Sequence, residues 1–137
     1  MRASLIQIDV LPADEADSVI LAQIEASAFA VDNPLAILTG PPSATSQESR
    51  AKDLATSMKS DPSVKYTKAV IDGQVVAWAR WHYYMEPGSA LVWEDTEWDA
   101  SPNPQACHEF FGAIARKRNE HMDGKRYACR SSVSQSL

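Results

Sequence analysis

The stretch from Lys65 to Tyr84, KYTKAVI-DG-QVVAWARWHYY, decides how the rest of the chain is read. Two runs rich in β-branched and aromatic residues flank Asp72-Gly73. That dipeptide tolerates the positive φ angles a two-residue type I′ turn demands, so the spacing predicts a β-hairpin of Lys65–Ile71 and Gln74–Tyr84. In that register Val70 faces Val75 and Tyr66 faces Ala79. Alternate side chains of a strand point to opposite faces. The second strand therefore carries Val75, Ala77, Ala79, Trp81 and Tyr83 on an apolar face, and Val76, Trp78, Arg80, His82 and Tyr84 on a mixed one.

Upstream of the hairpin, residues 46–60 read as a helix. Ala51, Leu54, Ala55 and Met58 recur at helical spacing, and Thr45 with Glu48 has the form of a capping box. Asp61-Pro62 ends it. A longer helix is expected over 13–29, where Ala16, Val19, Ile20, Ile24 and Ala28 repeat and Asp14, Glu15 and Asp17 crowd the positive end of the helix dipole. Asn33-Pro34 and Gly40-Pro41-Pro42 mark 29–44 as a loop. Ser4–Val10 reads as a strand closed by Pro12. Downstream, 85–103 is a long connection with acidic residues at 94, 95, 97 and 99. A third helix starts at Pro104 with Asn103 as its cap, presents Cys107, Phe110, Phe111, Ile114 and Arg118 as its stripe, and stops at Asp123-Gly124. A strand stub and an irregular serine-rich tail over 129–137 follow. Helices segregated around a hairpin-based antiparallel sheet make an α+β domain.

Composition narrows the function classes. The chain has 137 residues, 13 Lys and Arg against 18 Asp and Glu, a net charge of −5 and a pI near 5.1. An acidic domain is a poor partner for nucleic acid or anionic membranes. No apolar run is long enough to span a bilayer. Two cysteines cannot build a disulfide framework, and no Asn-x-Ser/Thr sequon exists, Asn33 and Asn103 each preceding proline. The expected location is intracellular, in the cytoplasm. Cys107, His108, His121 and Cys129 do not form a metal set. The two histidines lie 13 residues apart on one helix, about 20 Å, so no metal is expected.

The order strand, helix, helix, strand, strand, helix resembles the first half of the GNAT superfamily of N-acetyltransferases, and most closely its fungal members. Ala28-Phe29, Asn33-Pro34, Asp72-Gly73, the string Val76-Ala77-Trp78-Ala79-Arg80-Trp81, Phe110-Phe111 and Met122-Asp123-Gly124 carry the resemblance, which covers about residues 4–128. It implies acetyl-CoA as donor and an amine, on a small molecule or a protein N-terminus, as acceptor. On the acceptor side it points to Phe29, Asp32, Trp78, Arg80 and Trp81; it assigns no catalytic residue. The plainer reading makes Arg80 and His82 a half-solvated strand face and Trp78 and Trp81 sheet-packing aromatics.

One feature departs from the family. The pyrophosphate of acetyl-CoA sits on a glycine-rich loop opening a helix, where bare backbone N–H groups meet the anion. The five glycines, at 40, 73, 88, 112 and 124, are nowhere closer than the last pair, so no Gly-x-Gly exists. The expectation is therefore a partial domain, missing its C-terminal half and inactive by itself. The alternative is a non-catalytic half-domain that pairs with a partner or a second copy through an exposed sheet edge.

Overall fold

The structure, a computed structural model, describes residues 5–30, 38, 44–86 and 102–135. Among them are four strands and three α-helices: β1 (Asp9–Pro12), α1 (Ser18–Ala28), α2 (Ala44–Ser60), β2 (Val64–Ile71), β3 (Gln74–Tyr84), α3 (Pro104–Met122) and β4 (Tyr127–Gln135). The strands form one sheet in the order β1-β2-β3-β4, with β1–β2 and β2–β3 antiparallel. This is the α+β arrangement expected from the sequence.

The hairpin forms where its turn residues placed it. Asp72 and Gly73 both take positive φ, 49° and 75°. Val70 pairs with Val75 as expected. Tyr66 does not face Ala79; it pairs with Arg80, and Thr67 takes Ala79. The cause is a β-bulge. Ala69 pairs with Ala77 while Val70 pairs with Val75, so Val76 is an extra residue on β3. One inserted residue exchanges the two faces of everything beyond it. Trp78, Arg80 and His82 thus join Val75 on the face of Val64, Tyr66 and Lys68.

Two compact units divide the chain. The first comprises residues 1–29, 43–82 and 129–137, and the second 30–42 and 83–128. In the first, the core packs α1 and α2 on the Tyr66–Trp78 face of the sheet. Leu21, Ala22 and Ile24 from α1 meet Leu54 from α2, Val64 and Tyr66 from β2, and Trp78 from β3, with Ala51, Met58 and Val75 packed around them. The expected α2 stripe is the one buried.

Other boundaries differ. β1 begins at Asp9 rather than Ser4 and ends on Pro12, which an edge strand accommodates because the missing N–H costs no ladder bond on its outer side. The helix expected from residue 13 opens with a 3₁₀ turn, Glu15–Asp17. There Asp14 accepts from the Ala16 N–H and Asp17 accepts from the Asp14 N–H, a reciprocal cap. Thr45, expected as a cap, lies inside α2, which starts at Ala44.

In the second unit α3 starts at Pro104 as expected, though Asn103 makes no side-chain capping bond. Its buried residues are Cys107, Gly112 and Ala115; Phe110 and Ile114, expected on the inner stripe, are 46% and 49% exposed. Cys107, Phe111, Ala115 and Arg118 hold the inward arc instead. The aromatic pair misled because Phe110 and Phe111 sit about 100° apart on a helix, so only one can face inward. Gly124 ends α3 at φ 70°. β4 extends to Gln135, through residues whose serine-rich composition suggested an irregular tail.

Candidate functional site

The strand β3 holds three of the five acceptor-side candidates. Trp78 is 2% exposed. Its indole Nε1–H donates to the Leu21 carbonyl at 3.0 Å, and its ring stacks on Tyr66 with centroids 6.1 Å apart. Both the apolar body and the polar tip of the indole are thus satisfied inside the core. Arg80 lies on the same face, opposite Tyr66, and is half-buried. Trp81 pairs with Lys65 and so belongs to the other face. Phe29 closes the C-terminal end of α1 and is 40% exposed. Asp32 lies outside the described residues, as do Trp93, Glu94, Asp95, Glu97 and Trp98 of the acidic connection. The structure therefore brings Trp78 and Arg80 onto one face and sets Trp81 on the opposite one.

Near the far end of β3, Asp61 and Ser63, which sequence reading took only as a helix stop, join Arg80 and His82. The turn after α2 places the Asp61 carboxylate where it accepts from the Ser63 hydroxyl at 2.5 Å and the Ser63 N–H at 3.0 Å. Val64 bonds the Asp61 carbonyl and pairs with His82 across the hairpin. The Ser63 hydroxyl holds the Asp61 carboxyl below its ordinary range; burial opposes this, and the Ser63 N–H and the nearby His82 charge reinforce it. His82 and Arg80, opposite Val64 and Tyr66, supply an imidazole and a guanidinium on one face of β3, and the turn carboxylate of Asp61 lies near His82. Such a set can orient a polar or charged ligand. The Asp61-Pro62-Ser63 sequence reads only as a helix stop, but its Asp-x-Ser spacing is that of an Asx turn, and the hairpin register then brings His82 beside it.

Two ion pairs stiffen the same unit. Arg50 Nε and Nη2 clamp the Glu25 carboxylate at 2.7 and 3.1 Å, tying α2 to α1. Burial lowers the tendency of Arg50 to stay charged, but Glu25 outweighs it, and the guanidinium is held above its ordinary pKa. Lys68 Nζ bridges both Asp17 oxygens at 2.8 Å. In the second unit, Cys107 is fully buried and its Sγ donates to the Leu38 carbonyl at 3.2 Å, while Tyr84 stacks on Tyr127 at 4.6 Å. A shallow depression of about 330 Å³ lies against the first turn of α3, lined by Pro102–Ala106 and Glu109. Among the described residues no group of three or more His, Cys, Asp or Glu is placed to hold a metal, and no helix is long and apolar enough to cross a membrane.

No family model and no curated protein matches the chain. Among solved structures it is similar to a ribosomal-protein-alanine N-acetyltransferase from Brucella melitensis biovar Abortus 2308. The identity is 15%, the TM-score is 0.39, and the match covers 87% of this chain and 76% of that one.

Proposed function

We propose that these residues form the acceptor-side part of a GNAT-like N-acetyltransferase domain. One observation carries the reading. The elements follow the order strand, helix, helix, strand, strand, helix, strand around a single sheet, and the string Val76-Ala77-Trp78-Ala79-Arg80-Trp81 lies on a strand flanked on both sides. Arg80, on the Trp78 face, is the residue to contact the acceptor, and Phe29 and Asp32 are further candidates; Trp81, on the opposite face, is not expected to touch the same ligand. Trp78 is a positioning residue: locked to α1, it fixes where Arg80 emerges on the same face. The acceptor is an amine on a small molecule or a protein N-terminus, and a cytoplasmic location accords with it. Acetyl-CoA is the donor the resemblance implies, yet the 137 residues contain no Gly-x-Gly to cradle its pyrophosphate. Acetyl transfer by these residues alone is therefore not expected.

Two measurements test this. A ligand at 100 times its dissociation constant stabilises a fold by about 2.7 kcal/mol, a visible rise in melting temperature. Acetyl-CoA is expected to leave the melting temperature unchanged; a concentration-dependent rise would mean that residues other than a glycine loop hold the coenzyme. A short peptide with a free N-terminus, at about 1 mM, is expected to shift the Arg80 guanidinium resonance, and its N-acetylated form is not. Equal response to both peptides, or to neither, overturns the acceptor assignment.

A further inference from the structure

We propose that the chain forms a two-fold dimer by antiparallel pairing of residues 5–11 with the same residues of a second copy, centred on Ile8. The inference goes beyond the acceptor reading and does not depend on it. Among the described residues β1 is the terminal strand of the sheet, paired with β2 on one side. The segment that leads into it is apolar and exposed: Leu5 93%, Ile6 73%, Ile8 57%, Val10 70% and Leu11 45%. Soluble proteins ordinarily blunt such an edge with charges, bulges or a covering loop. Here the run holds one charge, Asp9.

The sequence selects both the occupant and the register. Val10 pairs with Ala69, on the face turned away from α1 and α2, and Leu11 pairs with Lys68, on the helix-bearing face. Gln7 Nε2 donates to Asp9 Oδ1 at 3.1 Å, the side-by-side placement of residues i and i+2 in an extended chain. Continued in that geometry, Ile6, Ile8 and Val10 share the first face, and Leu5, Gln7, Asp9 and Leu11 the second. Residues directly opposite one another in an antiparallel pair share a face. Centring on Ile8 sets Ile8 against Ile8, Ile6 against Val10 and Leu5 against Leu11. It sets Gln7 against Asp9, so each carboxylate meets an amide donor. Moving the centre to Asp9 would oppose two carboxylates. Moving it half a step would set the aliphatic face of one copy against Gln7 and Asp9 of the other. A strand that matches itself in one register, with every polar group paired, fits a second copy of itself. Seven residues a side fall short of the 20–30 of a standard interface, so the association is expected to be weak, in the micromolar range or above.

Sedimentation equilibrium of the full chain is expected to show a reversible monomer–dimer equilibrium. Ile8→Lys places two ammonium groups across the axis and is expected to return the chain to monomer. Its melting temperature at low concentration should stay close to that of the parent, since Ile8 is more than half exposed and is not one of the described core residues. Register is read by cysteine cross-linking in a Cys129→Ser background. Ile8→Cys is expected to form a disulfide-linked dimer under mild oxidation, because opposed Cα atoms lie about 5 Å apart. Ile6→Cys and Val10→Cys are each expected to remain uncrosslinked alone and to cross-link when mixed. A chain that stays monomeric to about 0.5 mM, or an Ile8→Lys variant that still dimerises, overturns the proposal. Cross-linking of Ile6→Cys or Val10→Cys with itself overturns the register.

Discussion

Replacing Trp78 by alanine removes the bulkiest fully buried side chain of the first unit and the hydrogen bond that joins β3 to α1. The expected loss is about 3–5 kcal/mol, read as a lower urea midpoint. Trp78→Phe keeps most of the volume and loses the donor, so it is expected to cost about 1–2 kcal/mol. Asp17 supplies a pH signature. Burial pushes its carboxyl up, but the hydrogen bonds from Lys68 and the Asp14 N–H, with the Lys68 charge, hold it below the ordinary 3.8. Asp61 is held below 3.8 as well. The folded state therefore binds fewer protons than the unfolded one just below pH 4. The stabilisation is present above the ordinary carboxylate value and is lost as pH falls through the folded value. Asp17→Asn is expected to flatten the acid limb of the stability–pH curve and leave its shape above pH 5 unchanged; an identical acid limb would remove Asp17 from the account. Phe29 at the end of α1 was legible from helix periodicity alone. The Asp61–Ser63–His82 group was not, because two of its members come from a turn and the third reaches them only through strand pairing.

At the scale of elements, the hairpin was the most legible part of the chain because its turn chemistry is local. Asp72-Gly73 fixed the strand ends to within a residue. Gly73 stands at φ 75° with open space where a Cβ would go, so Gly73→Ala meets no clash and pays only the left-handed backbone penalty. A destabilisation of about 1 kcal/mol is expected, measured by thermal melting. The bulge was illegible because alternation in the sequence cannot report an extra residue on one strand. The residues at 75, 77, 79, 81 and 83 read as one apolar face, yet the core takes Val75 together with Trp78. Deleting Val76 tests the point. It restores strict alternation with Trp78 still opposite Lys68 on the Tyr66 face, so cooperative unfolding is expected to persist; a deletion variant that no longer folds would mean that the bulge itself is required. The α3 stripe failed for a related reason: a helix with apolar residues over a broad arc leaves its facing angle to be set by packing.

For the whole molecule, element order was readable and the division into two compact units was not, since no linker composition marks the crossings near residues 29, 43, 82 and 129. Such separate packing has a chemical readout in the two free thiols. Cys129 is part-exposed and Cys107 has no accessible surface. An alkylating reagent is expected to modify Cys129 promptly and Cys107 only when the second unit opens. The slow labelling rate, compared with that of the denatured chain, then measures the free energy of that opening. A sulfur sealed inside one unit thereby lets the stability of that unit be followed separately, by mass spectrometry and without any added probe.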